Sequence, residues 1–526
     1  MLLAACNLAP DARPSVVERH TPTITAVATS DGFTQICDGC TAVVVITGDG
    51  LSGITDILLA SPLSFDIIVP TIVHRSDHVL RVRVEVPHGS SFDPLDLTIS
   101  GRHGQATFPS AIEITPVVIS PEATAGGHGT YQSPLPLCDP QVEQTANDDF
   151  LFLLAGTHTC DHVLHLAPGV TLIGLGAGVT RVVGTGAGVG FEFDGSMGEP
   201  RFAQLAGFTI EGEVHQPSID VRSSNLAVSG VTDRGGTRVA GGSSVQIADY
   251  HFDGPGHAID LEVFGDVRIA DTTIRNAATG ITVDVVRGPQ PTGAFLELAA
   301  ITIEHCGLGL QLGTLPRAPA VEQRLASFAQ GVHLLDNALG VLVQDGDSIL
   351  FESEIRNDAA APSPISAGIR IENGSLSVVD SQIVGHTGIG FDVDTAATGG
   401  HGTSGVVNGV IAGGEVGVRA RGFDRGTVVT LRSTIVRDQT VASVQLDGAG
   451  TLLDVGERGP SGPNAFSVVT GFAIDDQRTA VTPVTGLSLV QGVSLNGHPH
   501  TGELLRGPLA LGADIRIISP DALWQF

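Results

Sequence analysis

Short runs of alternating apolar and polar residues extend along most of the chain, often with glycine between them. In the first part of the chain, six such runs follow one another at intervals that suit strands joined by turns: 41–47, 54–59, 65–69, 79–86, 95–100 and 111–115. Alternation with a period of two is typical of strands that bury one face. We therefore expect a small antiparallel β-sandwich over residues 21–118.

A different pattern, Gly-Φ-x-Φ with Φ an apolar residue, recurs in the second half of the chain. It begins at Gly280, Gly309, Gly340, Gly368, Gly390 and Gly417, with steps of 22 to 31 residues. An apolar anchor stands six or seven residues before most of these glycines: Ile274, Ile303, Leu334, Ile383 and Val410, with Ile355 displaced by an insertion that contains Pro362 and Pro364. A constant local pattern with variable steps is typical of a solenoid, because insertions loop out between stacked strands.

Each run offers two or three inward apolar side chains, which are too few for a core of their own. Stacking of coils about 4.8 Å apart would join them into one buried column. Glycine at the corners would supply the positive φ that a sharp bend requires. About ten coils over residues 205–455 would give a rod of about 45–50 Å. A series of hairpin-built sandwiches is disfavoured, because Asn-Gly turns occur only at 373–374, 408–409 and 496–497.

Two segments near the start of the solenoid carry a family resemblance. Residues 150–157 form an apolar run that ends in Gly-Thr, and 166–174 contain a Pro-Gly turn before a second run. They resemble the opening turns of right-handed parallel β-helices of the pectin-lyase-like type. This resemblance implies an all-β chain with a linker at 119–146, a right-handed parallel β-helix at 147–458 and a C-terminal cap at 459–526. A cap would cover the last strand edge, and we expect Trp524 to pack there.

The first domain resembles the IPT/TIG class of immunoglobulin-like domains. The similarity lies in Pro22-Thr23-Ile24, in the segment 45–51 with its Gly-x-x-Leu step, and in the closing 111–114. It implies an Ig-like β-sandwich that serves as a spacer or a binding module, and it transfers no catalytic residue.

Composition excludes two classes of partner. All 27 basic residues are arginine, and against 56 acidic residues they leave a net charge of −29. Phosphate backbones and anionic membrane surfaces attract basic proteins, so we expect no nucleic-acid partner. Mean hydropathy is +0.24, yet no apolar run approaches the ~18–20 residues of a spanning helix.

The string Leu3-Ala4-Ala5-Cys6 resembles a bacterial lipobox, in which the cysteine receives lipid. It implies lipidation at Cys6, with residues 1–20 as a lipobox remnant and tether. The protein would then be exported and held at the cell surface or outer membrane of a bacterium, touching the membrane only through its anchor. The alternative is a short apolar N-terminus.

The remaining cysteines suit an oxidising compartment. We expect disulfides between Cys37 and Cys40 and between Cys138 and Cys160, and a buried, unreactive Cys306. The Cys-x-x-Cys segment at 37–40 leaves two alternatives. One is a redox motif, and the other is a zinc site with His74 and His78.

Enzymes of this fold cleave or epimerise acidic polysaccharides or hydrolyse glycosides. Polygalacturonases of this architecture contain Asn-Thr-Asp, Asp-Asp, Gly-His-Gly and Arg-Ile-Lys in that order. This chain has Gly-His-Gly at 127–129 and 400–402 and Asp475-Asp476 near its end, but the other strings are absent. The resemblance to that enzyme group therefore fails.

The candidate chemistry is concentrated at Asp249, His251, Asp253 and Asp271, with His257 and Arg268 nearby. Acids recur three residues before the anchors, at Asp249, Asp271, Glu352 and Asp380. They could form a calcium or acid/base site, or they could cap solvated turns. The same alternatives hold for Asp345 with Asp347 and for Asp392 with Asp394.

Aromatic platforms for sugars are scarce, since Tyr131, Tyr250 and Trp524 are the whole supply. The leading hypothesis is therefore an exported, lipid-anchored surface protein with a structural, adhesive or binding role and no catalytic site or required cofactor. Its partner would be a surface polysaccharide or another surface protein. The alternative is a polysaccharide lyase or glycoside hydrolase that acts on a polymer along the β-helix face. Convergence of the candidate acids in one groove would favour the enzyme.

Overall fold

The chain divides into two units in a computed structural model. One comprises Met1–Val118 and Gly126–Pro134, and the other comprises Ile119–Ala125 and Leu135–Phe526. The structure describes residues 21–64, 66–195, 201–286, 294–313, 325–358, 367–395, 402–422, 427–448, 451–454, 464–469, 471–477, 487–490, 505–506 and 516–518. Across these residues, no helix has the length and apolarity that a membrane crossing demands.

The first unit is built from two sheets. Its strands are β1 (Thr23–Thr29), β2 (Gln35–Cys37), β3 (Thr41–Asp49), β4 (Ile54–Ala60), β5 (Ile67–Ile68), β6 (Thr71–Arg75), β7 (Val79–Glu85), β8 (Pro94–Gly101) and β9 (Gly104–Thr115), with a 3-10 turn at Leu51–Gly53. One sheet has the order β1-β3-β7-β6, and the other has the order β2-β9-β8-β4-β5. Alternate residues of both sheets form one buried core, which includes Ile46, Leu80, Val82 and Leu97. The two sheets therefore bury their apolar faces together, as in a β-sandwich.

A disulfide joins Cys37 at the end of β2 to Cys40, with the two Cα atoms 5.2 Å apart. Of the two histidines in the zinc alternative, His74 lies on β6, and His78 has its Nδ1 atom 2.9 Å from Asp49 Oδ1. Within the described ranges, the side-chain cluster with metal-ligand geometry includes none of these residues. The structure therefore pairs the two sulfurs with each other.

The remaining strands form one continuous ladder. They are β10 (Val117–Ile119), β11 (Phe150–Leu153), β12 (Gly156–Cys160), β13 (Val163–Leu166), β14 (Thr171–Ile173), β15 (Thr180–Asp194), β16 (Phe202–Arg222), β17 (Asn225–Asp233), β18 (Thr237–Asp253), β19 (His257–Arg275), β20 (Thr279–Val285), β21 (Ala294–Glu304), β22 (Leu308–Leu312), β23 (Leu325–Leu335), β24 (Leu339–Val343), β25 (Asp347–Phe351), β26 (Glu354–Arg356), β27 (Ala367–Ile371), β28 (Ser375–Val379), β29 (Gln382–Val384), β30 (Ile389–Asp394), β31 (Gly402–Val407), β32 (Val410–Ala412), β33 (Val416–Arg421), β34 (Thr427–Arg432), β35 (Ile435–Gln439), β36 (Ala442–Asp447), β37 (Thr451–Asp454), β38 (Asn464–Val468), β39 (Phe472–Asp476), β40 (Leu487–Val490), β41 (Leu505–Arg506) and β42 (Arg516–Ile518). A second 3-10 turn lies at Val142–Gln144.

Strands of successive coils pair in parallel and in register. Ile274 pairs with Ile303, Ile303 with Leu334, and Leu334 with Ile355. Because each strand pairs with its equivalent one turn of the chain later, the unit is a parallel β-helix, and the expectation of this fold is confirmed. The number of coils stays a prediction.

Each coil presents three faces, which we call A, B and C in chain order. Buried residues that stack in neighbouring coils are Leu205, Val228 and Ile247 on face A; Phe252, Ile274 and Ile303 on face B; and Leu261, Val283 and Leu312 on face C. These side chains are almost fully removed from solvent and form the dry interior column that the sequence pattern predicts. The insertion after Ile355 does not disturb the stacking, because Ile355 still pairs with Ile383.

One of the predicted anchors is displaced by a residue. Ile383 pairs with Ile411, which is fully buried, whereas Val410 pairs with Gln382 and is half-buried. Successive strand residues point to opposite sides, so only one of the two can face the interior. The inward residue of this coil is therefore Ile411.

The repeated glycines serve a purpose that differs from the expected one. Gly340 and Gly368 are not among the glycines with positive φ. Instead, each lies very close to the backbone of the next coil. A Cβ atom on Gly340 would lie 2.4 Å from the carbonyl oxygen of Gly368, and one on Gly368 would lie 2.6 Å from that of Gly390. The prediction that these glycines supply positive φ is wrong, because space between coils is what requires them.

The bends between faces A and B are closed by buried hydroxyl groups. Ser353, Ser381 and Thr434 follow the bend, and each hydroxyl donates to the carbonyl oxygen two residues earlier at 2.7 to 3.0 Å. Ser353 Oγ also accepts the Val332 N–H of the preceding coil at 3.2 Å. These bonds satisfy backbone groups that the bend removes from the strand ladder.

The described strands beyond residue 458 continue the parallel ladder. β38 pairs with β35, β39 with β36, β40 with β38, and β42 with β40. Strand pairing therefore shows no break at the boundary that we expected between the β-helix and the cap. Trp524 lies outside the described residues, as does Cys6.

Candidate active site

The acids that recur before the anchors occupy one conformational position. Asp249, Asp271, Glu352 and Asp380 lie at the bend between faces A and B, with φ between 47° and 50°. Asn408 lies at the same bend with φ of 53°. Aspartate and asparagine tolerate this left-handed backbone better than most residues. The bend geometry therefore explains why these residue types recur there, while the calcium alternative stays untested.

The other two candidates, His251 and Asp253, lie on face B. His251 Nε2 is 3.4 Å from Asp249 Oδ1, and both side chains are more than half exposed. Asp253 Oδ1 accepts a hydrogen bond of 2.8 Å from Asn276 Nδ2. The structure thus places Asp249 near His251, but Asp253 is held at the far end of the face.

Arg268 lies apart from these residues, on the outer side of face A. Its Nη2 atom is 2.8 Å from Glu297 Oε2 in the next coil. It borders a shallow depression of about 240 Å³ whose lining includes Gln204, Ala206, Ser229, Gln246, Ala248 and Ala270. The guanidinium of Arg268 is the one charged group in this lining. None of the candidate residues Asp249, His251, Asp253 and Asp271 belongs to this lining.

Tyr250, which lies between two candidates in sequence, points into the interior. Its hydroxyl donates to Asp233 Oδ2 at 2.9 Å, and Ser218 Oγ lies 2.6 Å from both carboxylate oxygens of Asp233. Burial is the largest effect on both groups, and it raises the pKa of Asp233 and of Tyr250. This fully buried cluster stabilises the coil and is closed to a polymer.

Three further sequence signals are the two Gly-His-Gly strings and Cys306. His128 of the first Gly-His-Gly belongs to the N-terminal unit, where its Nε2 atom is 3.4 Å from Asp31 Oδ2. The second Gly-His-Gly falls mostly outside the described residues. Cys306 is buried, and burial raises the pKa of its thiol to about 11, which keeps it protonated and unreactive.

A denser arrangement covers the outer side of face C. In each coil the x residue of Gly-Φ-x-Φ points outward because its neighbours point inward. These x residues form one row, and the residues two positions after them form a second row. We call the two rows together the face C strip. The first row contains Gln311, Leu342, Arg370, Asp392, Arg419, Gln445 and Asp475. The second row contains Asp394, Arg421 and Asp447, which pair in successive coils. Gln344 and Glu372, which directly follow the paired residues Val343 and Ile371, continue it towards the N-terminus.

Asp392 is the buried centre of the strip. Its side chain is 0% exposed, although it is charged and points outward. Arg419 donates to it through Nε and Nη2, both at 2.8 Å, and Arg370 Nε donates at 3.2 Å from the other side. Burial opposes the charge of Arg419, but the hydrogen bond and ion pair with Asp392 raise its pKa. Two guanidinium groups thus hold one carboxylate rigidly.

The second row alternates in sign from Asp394 through Arg421 to Asp447 and is more accessible than Asp392. Asp394 Oδ2 lies 3.7 Å from Arg419 Nη2 and 3.8 Å from Arg421 Nη1. Arg421 Nε lies 3.4 Å from Asp447 Oδ2 in the following coil. The side chains of Asp394 and Asp447 are 17% and 39% exposed. Two accessible carboxylates therefore flank Arg421.

The spacing of these two carboxylates suits chemistry on a glycosidic bond. Asp394 and Asp447 occupy the same row two coils apart. At about 4.8 Å per coil their backbones are about 9–10 Å apart. Inverting glycosidases hold their two carboxyl groups about 6.5–9.5 Å apart, which leaves room for a water molecule. The backbones of the two acids are therefore separated by about the distance that the carboxyl groups of an inverting glycosidase require.

Amide side chains extend the strip on the N-terminal side of the charges. Gln311 Nε2 donates to Gln344 Oε1 at 3.0 Å, and Gln344 Nε2 donates to Glu372 Oε2 at 2.8 Å. On the other side, Gln445 Nε2 lies 3.4 Å from Asp475 Oδ2. Amides, carboxylates and guanidinium groups all form hydrogen bonds with sugar hydroxyls.

Sequence reasoning named Asp392 and Asp394 only as one of several acidic pairs and missed the arginines and Asp447. A signal was present, because Arg370, Asp392 and Arg419 each stand two residues after a repeat glycine. Stacking the repeats on their glycines brings these three side chains into one row.

No protein-family model and no curated protein matches this sequence. Among solved structures, a GH87 α-1,3-glucanase catalytic unit from Streptomyces thermodiastaticus strain HF3-3 is similar, with 12% identity and a TM-score of 0.33 over 95% of this chain and 96% of the other. A Yersinia enterocolitica family 28 exopolygalacturonase has 10% identity and a TM-score of 0.28 over 94% and 98% of the two chains. A pectate lyase has 13% identity and a TM-score of 0.23 over 65% and 78%.

These matches correct the leading functional hypothesis. Their printed names are those of enzymes that cleave polysaccharides, and the expected structural, adhesive or binding protein without a catalytic site has no counterpart among them. They agree with the alternative that the sequence left open. Because their TM-scores are low, no residue and no substrate is carried over from them, and the function is argued below from this chain's own side chains.

Proposed function

We propose that the protein is a polysaccharide-cleaving enzyme and that it hydrolyses a glycosidic bond at the face C strip. The observation that carries this proposal is the pair of accessible carboxylates, Asp394 and Asp447, on either side of Arg421. One carboxyl group protonates the leaving oxygen while the other activates water. Their spacing of two coils favours inversion at the anomeric carbon.

The buried ion pairs supply the rigidity that such a site needs. Asp392 fixes Arg419, and Arg419 Nη2 contacts Asp394 from the same atom that contacts Asp392. We assign Asp392 as a positioning residue, because its side chain is closed to a polymer. Side chains that are locked by their neighbours hold reacting groups in a productive geometry.

The charge of the strip favours a neutral polymer as the substrate. Three arginines face five carboxylates in the two rows: Glu372, Asp392, Asp394, Asp447 and Asp475. The whole chain carries −29, which repels a polyuronate as well. The first row extends over six coil spacings, or about 29 Å, which accommodates several sugar units of an extended chain.

Product analysis tests the reaction class directly. The full chain is incubated with a panel of neutral glucans and, in parallel, with uronate polymers. We expect new reducing ends from a neutral polymer and no unsaturated sugar. Unsaturated products, which absorb in the ultraviolet, would indicate a lyase reaction instead of hydrolysis and would contradict the proposal.

We also propose that the N-terminal sandwich is an Ig-like domain of the IPT/TIG class that serves as a spacer or binding module for the enzyme. Its two-sheet core supports this assignment. We further propose that the protein is exported with lipid attached to Cys6. We also propose that its β-helix is right-handed. Mass spectrometry of the native protein tests the anchor, since an unmodified Met1 would exclude it.

A further inference from the structure

A second cluster of chemically reactive side chains lies in the first coils of the β-helix, far along the chain from the face C strip. The Sγ atoms of Cys138 and Cys160 and one imidazole nitrogen of His162 all lie within 4.8 Å of one another. Cys138 and Cys160 form a disulfide, with their Cα atoms 5.5 Å apart. Cys160 is buried, and the other two are half-buried.

Two carboxylates complete the surroundings of His162. Asp161 Oδ1 lies 2.9 Å from its Nδ1 atom, and Glu143 Oε1 lies 3.9 Å from its Nε2 atom. A carboxylate on one ring nitrogen fixes the tautomer and directs the lone pair of the other nitrogen outward, as second-shell partners of metal-bound histidines do. The Nε2 lone pair therefore faces the Glu143 carboxylate, which also has only lone pairs to offer, so a cation between the two would suit both groups.

We propose that Cys138, Cys160, His162 and Glu143 form a zinc site that exists only when the disulfide is reduced. Two sulfurs, one imidazole and one carboxylate are the donor types that tetrahedral zinc takes at 2.0–2.3 Å, so its ligands lie about 3–4 Å apart. The cysteine and histidine atoms already lie close to this spacing. Small movements of half-buried side chains bring four ligands around one ion.

The redox step balances with a dithiol as the reductant. The dithiol gives two electrons and two protons to the S–S bond and becomes a cyclic disulfide, which leaves two thiols on the protein. Zinc then displaces both thiol protons and binds the two thiolates. In the oxidised protein the sulfurs have no thiolate to offer, so the disulfide and the metal are mutually exclusive.

The disulfide and the proposed zinc site would both link Cys138 to Cys160 and so close the same loop. Cys138 and Cys160 are 22 residues apart, and Cys160 ends β12 at the first coils of the solenoid. An open loop there would leave the early coils less constrained. Zinc would thus preserve this closure in a compartment where the disulfide is reduced.

The site is tested in the full chain with Cys37→Ser and Cys40→Ser, which removes the other cysteine pair. This protein is prepared oxidised or reduced with a dithiol that is then removed without air, and it is titrated with Zn²⁺ and Co²⁺. We expect the reduced protein to bind one ion and to show the sulfur-to-cobalt charge-transfer band. His162→Ala should weaken zinc binding at least about tenfold, and His165→Ala should leave it unchanged.

Three results would overturn the proposal: equal zinc binding by the oxidised and reduced proteins, no charge-transfer band, or wild-type affinity in His162→Ala. Thermal unfolding supplies a second measurement that does not depend on spectra. Zinc should raise the Tm of the reduced protein and leave that of the oxidised protein unchanged. An equal shift in both would also contradict the mechanism.

Discussion

Asp392 and Arg419 face each other across adjacent coils through two hydrogen bonds of 2.8 Å. The carboxylate is fully buried on the outward side of a strand, where an aliphatic solenoid has no need of a charge. A buried charge persists only where its partners are well placed. The Asp392–Arg419 pair therefore marks the face C strip as the part of the surface where we infer a function.

Removal of the buried carboxylate should destabilise the β-helix. Asp392→Ala leaves Arg419 and Arg370 without their shared partner, and we expect the free energy of unfolding to fall by about 3 kcal/mol. Denaturant unfolding measures the change. The control is Glu297→Ala, which breaks an exposed pair with Arg268 and should cost less than about 1 kcal/mol. Equal effects of the two substitutions would contradict a special role for Asp392.

The close approach of coils at the glycine row predicts a steric cost for a single methyl group. In Gly340→Ala the new Cβ would lie 2.4 Å from the Gly368 carbonyl oxygen, so strands must separate, and we expect a loss of about 2 kcal/mol or more. Gly178 is a matched control because nothing lies within 4 Å of its Cβ position. Gly178→Ala should change stability by no more than about 1 kcal/mol, in the stabilising direction. Similar Tm values for both variants would refute the steric account.

His386 should make stability depend on pH. Its ring is 2% exposed, and burial lowers its pKa from 6.5 to about 4. The unfolded chain therefore binds a proton first, so stability is fully present above pH 6.5 and declines as the pH falls toward 4. The difference amounts to about 3 kcal/mol.

The comparison that isolates this effect is with His386→Leu, which cannot titrate. We expect the wild type to lose about 2–3 kcal/mol more than the variant when unfolding is measured at about pH 7 and again at about pH 4.5. Parallel pH profiles of the two proteins would show that His386 is not the titrating group.

Tyr250 should contribute through its hydroxyl group, which donates to Asp233 Oδ2 and accepts from Thr237 Oγ1 inside the solenoid. Tyr250→Phe removes the donor to Asp233 and keeps the ring, so we expect a loss of about 1–3 kcal/mol, because a buried carboxylate loses a partner. Tyr131→Phe is the control, since this side chain is 46% exposed. No difference between the two variants in denaturant unfolding would contradict the importance of the buried cluster.

The sequence predicted the β-helix because its signal is local. An inward aliphatic such as Ile274 or Ile303 needs only the period of a strand and a glycine nearby to be recognised. The purpose of the glycines could not be read in the same way, since the clash at Gly340 involves a carbonyl oxygen one coil away. Val410 and Ile411 were confused because a shift of one residue exchanges the inward and outward sides.

The candidate site was harder to predict because its members are brought together by stacking. Asp249 and His251 are close in sequence and were predicted as candidates for that reason. Both side chains are exposed, and Asp249 lies at a bend. Asp394 and Asp447 are 53 residues apart and belong to the same row only once the register is known. Charges at the x position of each repeat and two residues after it carry this information, but only after the coils are aligned.

The catalytic assignment is tested most directly by the initial rate of reducing-end release from the neutral polymer that the wild type cleaves. We expect Asp394→Asn and Asp447→Asn each to lower this rate by at least about 100-fold, which is typical of the loss of a general acid or base. We expect Asp271→Asn, which suits the left-handed bend, to keep the wild-type rate. Full activity of either face C variant, or its loss in Asp271→Asn, would contradict the assignment of face C as the active site.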